Sequence, residues 1–441
     1  MRRRGAQPLA ATLLVALLVS ACTSAGTDSA PTTSAAAAGD AGADVSQMDT
    51  GPYMTVPTHP FGTAGDDLQK QGLMESQRLA GVTLGPWQVK PQLINRGDAL
   101  NANSTGRFYD AASMRNSGAF MDPLPDIAGR NGLMAGFSSL RFAPVDDPKS
   151  PAKWWSLLTA VMRFPDPAAA SAAASQMAAA GTPALATRGS RRELQLVGNS
   201  TALAAAYPLS DGRETVTSFT AEREFLLYEE ATMVPGGFLQ GTLLLQPDGV
   251  VGSALTFQKP KIKSFVPTPV DRLPDLPMDP SGYLMARLLD NPSGAVPSNI
   301  GVWTPQEWLH FEDNPLEAAP WLAEAGVDWV GQRLSTVYRT RNPDTAETLL
   351  HKIVEQMRST PLARPAGEVP GLPRARCFER DIAAAPGFIR VEAEAPQTMQ
   401  RTDWHFKCAA ATDRYVFTVY AASQEDAAQR ISAQWRILAG K

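Results

Sequence analysis

Residues 154–167 read WWSLLTAVMRFPDP, and this stretch decides the fold. Its first eleven residues are an apolar run of strand length, the pattern of a buried strand. Pro165-Asp166-Pro167 ends the run and starts a helix: Asp166 is suited to the N-cap and Pro167 to the first helical position. An alanine-rich helix then runs to Ala180 and stops at Gly181. The second half repeats the arrangement. A strand over 332–341 is followed by Asn342-Pro343-Asp344 and a helix with Ala346, Leu349, Leu350, Ile353, Val354 and Met357 on one face. Residues 322–330 (LAEAGVDWV) also echo residues 127–135 (IAGRNGLMA). The expected class is α+β, with two related sheet-plus-helix domains produced by an internal duplication.

Working outward, the N-terminal α+β domain is assigned to 51–265. It opens with a helix over 66–79, continues through a polar loop over 95–116, and reaches a short helix and strand between 123 and 137. Further strands are predicted at 214–220 and 223–230, with Glu229 and Glu230 on solvated faces. The apolar residues 236–265, interrupted by Pro247 and Gly249, read as a broken helix pair. Residues 266–280 hold five prolines and form a semi-rigid linker. The C-terminal α+β domain is 281–441. Strands are expected at 388–394, 404–409 and 414–421, before a last helix capped at Ser423 with a core stripe of Ala428, Ile431, Trp435 and Leu438.

The chain begins with an address. Arg2, Arg3 and Arg4 precede an apolar run at 9–19, too short to span a bilayer core of roughly 30 Å. With the small residues that follow, residues 1–21 read as a secretory signal. Val19-Ser20-Ala21-Cys22 has the form of a lipobox, so Cys22 is the predicted lipidation site. Two or more acyl chains are needed for stable attachment. Residues 22–50, rich in Ala, Ser and Thr and without an aromatic, read as the lipidated cysteine and a disordered tether of roughly 30 Å. The expected location is the extracytoplasmic face of the cell membrane.

Losing Arg2, Arg3 and Arg4 takes the formal charge from −4 to −7, so no basic footprint for nucleic acid exists. Of three cysteines, Cys22 is reserved for lipid, leaving Cys377 and Cys408. In an oxidising compartment they pair most simply as a disulfide. Reactive thiols or a metal site are the alternatives, and the absence of a CxxC spacing argues against both.

Catalytic patterns fail one by one. There is no GxSxG elbow, glycine-rich phosphate loop, HExxH or dinucleotide fingerprint. His351 and His405 read as exposed, and His59 lies in a loop between Thr58 and Pro60. The one candidate constellation is His310, Glu312 and Asp313 (HFED), a histidine with two carboxylates suited to a metal or to acid–base work. Its alternative is a polar loop after a short helix at 305–309. No cofactor is expected. Trp154, Trp155, Trp303, Trp308, Trp321 and Trp329 either pack the core or line a groove for sugar or lipid.

Gly85-Pro86-Trp87 after the first helix, the strand leading to Asn342-Pro343-Asp344, Cys377, and the ending Phe406-Lys407-Cys408 with Arg414-Tyr415-Val416 resemble an actinobacterial lipoprotein family of unknown function (DUF7373-type). It is found in mycobacteria, nocardiae and rhodococci. The resemblance covers nearly all of 51–441 and implies an envelope location, but it supplies no catalytic residues. The function expected is that of a lipid-anchored, non-catalytic envelope protein, attached to the membrane through Cys22 and binding an envelope protein, glycan or lipid. A carrier of hydrophobic envelope lipids and an enzyme with an unrecognised site are the alternatives.

Overall fold

The PDP stretch folds as its residues dictate. The Asp166 carboxylate accepts from the Ala169 N–H, with Pro167 opening the helix and Gly181 closing it in a left-handed-side conformation. Asn342 caps the equivalent helix, accepting from Thr345 N–H, and the six predicted stripe residues are its buried ones. The computed structural model describes residues 42–97, 99–143, 155–181, 191–235, 237–239, 242–290, 299–381 and 397–441. The signal, Cys22, most of the tether, Trp154 and the strand predicted over 388–394 lie outside them.

The strands are β1 (Gly106–Phe108), β2 (Ala135–Phe142), β3 (Ser156–Arg163), β4 (Arg192–Leu194), β5 (Leu203–Pro208), β6 (Glu214–Glu222), β7 (Phe225–Met233), β8 (Gly237–Leu239), β9 (Thr242–Leu245), β10 (Gly301–Trp303), β11 (Trp329–Gln332), β12 (Ser335–Arg339), β13 (Ala363–Pro365), β14 (Arg376–Arg380), β15 (Phe406–Thr412) and β16 (Tyr415–Ala421). The helices are α1 (Leu68–Ala80), α2 (Pro86–Val89), α3 (Ala111–Asn116), α4 (Leu124–Arg130), α5 (Pro167–Ala180), α6 (Pro247–Ser264), α7 (Pro305–Trp308), α8 (Pro315–Glu324), α9 (Pro343–Ser359), α10 (Gln397–Thr402) and α11 (Gln424–Ala439).

Two seven-stranded antiparallel sheets result, ordered β1-β2-β3-β7-β6-β5-β4 and β10-β11-β12-β16-β15-β14-β13. The two orders are the same permutation, and both units are closed by a helix, α6 and α11. The duplication reaches single hydrogen bonds. Phe164 N–H donates to Glu224 O at 2.8 Å as Thr340 N–H does to Arg414 O at 2.9 Å. The tight turns between β6 and β7 and between β15 and β16 each begin with a left-handed residue, Arg223 and Asp413. The sequence echo is one residue out of register, however. Leu133 N–H bonds Ala128 O, and Val327 N–H bonds Leu322 O, so Gly326 corresponds to Gly132 and not to Asn131. Both glycines have positive φ, at 60° and 79°, which is why a glycine is needed there.

Sheet and helix faces alternate through one body. α5 packs with Leu158, Ala160 and Met162 on one outer side, and α11 with Phe417, Val419 and Cys408 on the other. Between the sheets a single core joins α6 and α9 with Phe137, Val161 and Leu227 of the first sheet and Tyr338, Val416 and Ala409 of the second. The first unit therefore turns its α6 face inward and the second its α9 face. The repeats meet through non-equivalent faces, a heterologous contact inside one chain.

Several expectations change. Residues 95–116 are not all loop, because they contain β1 and α3, which residues 106–108 and the Asp110 cap form. Within 236–265 the described residues form the paired strands β8 and β9 followed by one helix, since Pro247 sits at a helix start and not within a break. The strand placed over 332–341 is β12, with Gln332 ending β11. The tether stops before Thr50. Asp44 N–H bonds Gly371 O, Met48 is buried against the second unit, and Tyr53 donates to Asp426 at 2.6 Å. Residues 42–61 thus pack on the C-terminal unit, not at the head of the N-terminal one. The proline-rich segment 266–280 is fastened as well, with Thr268 N–H and Oγ1 bonding the buried Glu75 carboxylate.

Candidate functional site

The HFED residues sit where the two units meet. Thr304 and Glu307 form a capping box for α7, and Leu309–Phe311 continue as a 3-10 turn that carries His310 into the core. His310 is 2% exposed. Its Nδ1 lies 2.9 Å from Ser139 Oγ on β2 and its Nε2 lies 3.1 Å from Ala80 O on α1. A carbonyl only accepts, so Nε2 carries the proton and Nδ1 accepts from Ser139. Burial first, and then the Arg141 charge, push the imidazole down to about 3, so it is neutral across the physiological range. Phe137 and Trp87 meet its ring edge-on at 5.0 and 5.2 Å.

The two carboxylates turn elsewhere. Glu312 accepts from Trp308 Nε1 and, at 2.8 Å, from the Tyr338 hydroxyl. Asp313 reaches Arg96 at 3.2 Å and Lys407 at 3.8 Å. Desolvation alone would raise Asp313; Lys407, Arg96 and Arg401 override it and hold the carboxyl at about 2. The three HFED side chains do not converge on a point, and no group of metal-ligating residues forms among the described residues. They form a buckle between the units. A general base needs access and a pKa near the working pH; a fully enclosed imidazole at about 3 has neither.

Arg141 completes the buckle. It comes from β2, whose residues 135, 137, 139 and 141 all face the shared core, and it is fully buried. Its guanidinium donates to Ile94 O at 2.7 Å, His310 O at 2.7 Å and Glu312 O at 2.8 Å. Arg107 and Gln77 repeat the theme lower in the seam, donating to Ile300 O and Val302 O. Sequence reasoning missed these arginines. The available signal was phase, because counting by two from Phe137 places Arg141 on the apolar side.

Cys377 and Cys408 are disulfide-bonded, directly opposite in the β14–β15 register with Cα atoms 4.1 Å apart. His351 is exposed as expected and His59 is exposed too, but His405 is half-buried. Trp155, Trp303 and Trp308 are core residues, and Trp321 and Trp329 are partly buried at its margin. Glu229 departs furthest from expectation. It is not on a solvated face but fully buried beneath α6, where its carboxyl oxygens have no well-formed hydrogen bond among the described residues. Burial pushes its pKa up to about 8, only partly offset by Ser218 and Lys259.

Fold and site together define a two-unit, duplicated α+β protein in which the buried cluster of His310 and Arg141 fastens the units to each other. Residues 62–278 match the N-terminal domain of unknown function DUF7373 and residues 284–441 its C-terminal domain, so the chain belongs to the DUF7373 family. No curated protein matches it. Among solved structures, the extracellular domain of PknH from Mycobacterium tuberculosis aligns at 12% identity over 34% of this chain and 74% of its own, with a TM-score of 0.24. That likeness is too slight to bear on function. No helix among the described residues is long and apolar enough to cross a membrane.

Proposed function

We propose that the protein is a lipid-anchored component of the cell envelope, held on the extracytoplasmic face of the membrane through Cys22 and working by binding, not catalysis. The anchor reading rests on the basic start, short apolar run and lipobox of residues 1–22. Its resemblance to actinobacterial lipoproteins supports an envelope of that kind. The observation that carries the non-catalytic reading is the fate of His310, Glu312 and Asp313: each is committed to a partner in the other unit or in its own core. The lipid-carrier reading has less support, since Val250, Val251, Ala254, Leu255 and Ile262 of the apolar 236–265 region are used in the shared core. The partner is an envelope protein, glycan or lipid.

Replacing Cys22 by alanine tests the anchor. The expected result is release to the medium or an unprocessed precursor on a blot of fractionated cells; unchanged retention of a processed protein overturns it.

A further inference from the structure

The outer mouth of the seam holds more positive charge than it neutralises. Arg96 comes from the segment after α2, Arg401 from α10 and Lys407 from β15, and they surround the single carboxylate of Asp313. The cations are well enclosed. The Arg96 side chain is 12% exposed, Arg401 is 4% and Lys407 5%, whereas the Asp313 side chain, at 46%, faces solvent. Arg141 lies within electrostatic reach behind them, and so does Glu312, already bonded to Trp308 and Tyr338. Among the described residues, four cations thus face two anions. Arg380 and Asp403 alongside form a pair of their own at 3.5 Å.

Arg401 is the telling residue. Its guanidinium stacks on Trp308 at 4.7 Å and one nitrogen donates to Phe311 O at 2.6 Å. Its Nε and Nη1, both buried, have no hydrogen-bond partner among the described residues. Lys407 lies over the rings of Tyr420 at 5.3 Å and Trp404 at 6.0 Å, and its ion pair among the described residues is the long one to Asp313. Buried N–H donors left without an acceptor are costly, and the two on Arg401 lie among cations that share the partly exposed Asp313 carboxylate as a counter-charge.

We propose that this mouth is a binding site for an oxyanion, a phosphate or carboxylate group, taken by Arg401, Lys407 and Arg96 beside Asp313. The proposal deepens the binding reading by naming a ligand chemistry, and it does not depend on the anchor. Asp313 acts as a built-in competitor that keeps the cations together when the ligand is absent. Chloride, lacking several acceptor oxygens, fits less well.

The test uses the full chain in detergent, titrated with sodium phosphate and with sodium acetate by calorimetry at constant ionic strength, chloride serving as control. Saturable binding by phosphate or acetate, absent with chloride, is expected, and which of the two binds tighter identifies the headgroup. Asp313→Asn should tighten binding about fivefold or more, because a competing negative charge is gone. Arg401→Gln should abolish it. The gain in Asp313→Asn cannot arise from misfolding, so it guards against a merely destabilised Arg401 variant. No binding by either wild type or Asp313→Asn, or equal binding by Arg401→Gln, overturns the site. Neither outcome touches the Cys22 experiment, so the two readings fail separately.

Discussion

The same row of residues across the two sheets has been filled in opposite ways. Aligning the turns that begin at Arg223 and Asp413 sets Ser335, Val419, Cys408 and Cys377 of the C-terminal unit against Thr159, Glu229, Ser218 and Ala204 of the N-terminal one. Both rows lie under the closing helix, and both helices present a glutamine there. Gln258 accepts from Leu84 N–H and donates to Val82 O, while Gln434 accepts from Leu289 N–H and donates to Arg287 O. Around this shared bracket the C-terminal row carries a disulfide and a valine. The N-terminal row carries a buried carboxylic acid and hydroxyls. The difference follows the faces: α11 covers an outer face that gains from a covalent staple, whereas α6 covers the face shared with the other unit, already held by a large core.

The largest effect should come from breaking the C-terminal row. Replacing Cys377 and Cys408 by alanine opens a link between residues 31 apart in sequence, for a loss of about 3–4 kcal/mol on chain-entropy reasoning. Denaturant melts with and without reductant measure it; identical curves would show that the staple adds nothing.

A comparable effect, confined to high pH, should come from neutralising the N-terminal row. The native Glu229 keeps a proton, up to about 8, that the unfolded carboxyl releases near 4.5. The native state then binds more protons in that window, so stability falls as pH rises through it. Glu229→Gln should be more stable than the parent by up to about 4 kcal/mol at pH 8 and indistinguishable near pH 4, with a flatter profile between. A gain that is the same at both pH values would mean the carboxyl is not held neutral.

The smallest effect should come from making the rows alike. Ala204 and Ser218 are paired as Cys377 and Cys408 are, so cysteines at both positions should form a second disulfide worth about 1 kcal/mol, engineered links giving less than theory. Free thiols by intact mass in the oxidised protein would break the equivalence of the two rows.

What was legible in the chain follows the strength of local signals. Strand–cap–helix units show because proline and an Asn or Asp cap act within a few residues, and the α9 stripe because its period is uninterrupted. The disulfide partners could be found by counting. The β8–β9 pair was hidden because a short apolar run reads alike as strand or helix. Glu229 was misplaced because strand β7 is covered on both faces, so a charge no longer marks the wet side. The site was half legible: HFED stood out as a constellation, but its surroundings are far away in sequence, Arg96 and Arg141 reaching it from the other unit and Arg401 from α10 of its own.

The path of residues 42–61 has a mechanical consequence. Asp44 is tied to Gly371, Asp49 to Gln429 and Tyr53 to both Asp426 and Arg430, all in the C-terminal unit. A pull applied at residue 42 is therefore borne first by α11 and the stapled sheet beneath it. The N-terminal unit, with its acid in place of a staple, hangs outside the line of force.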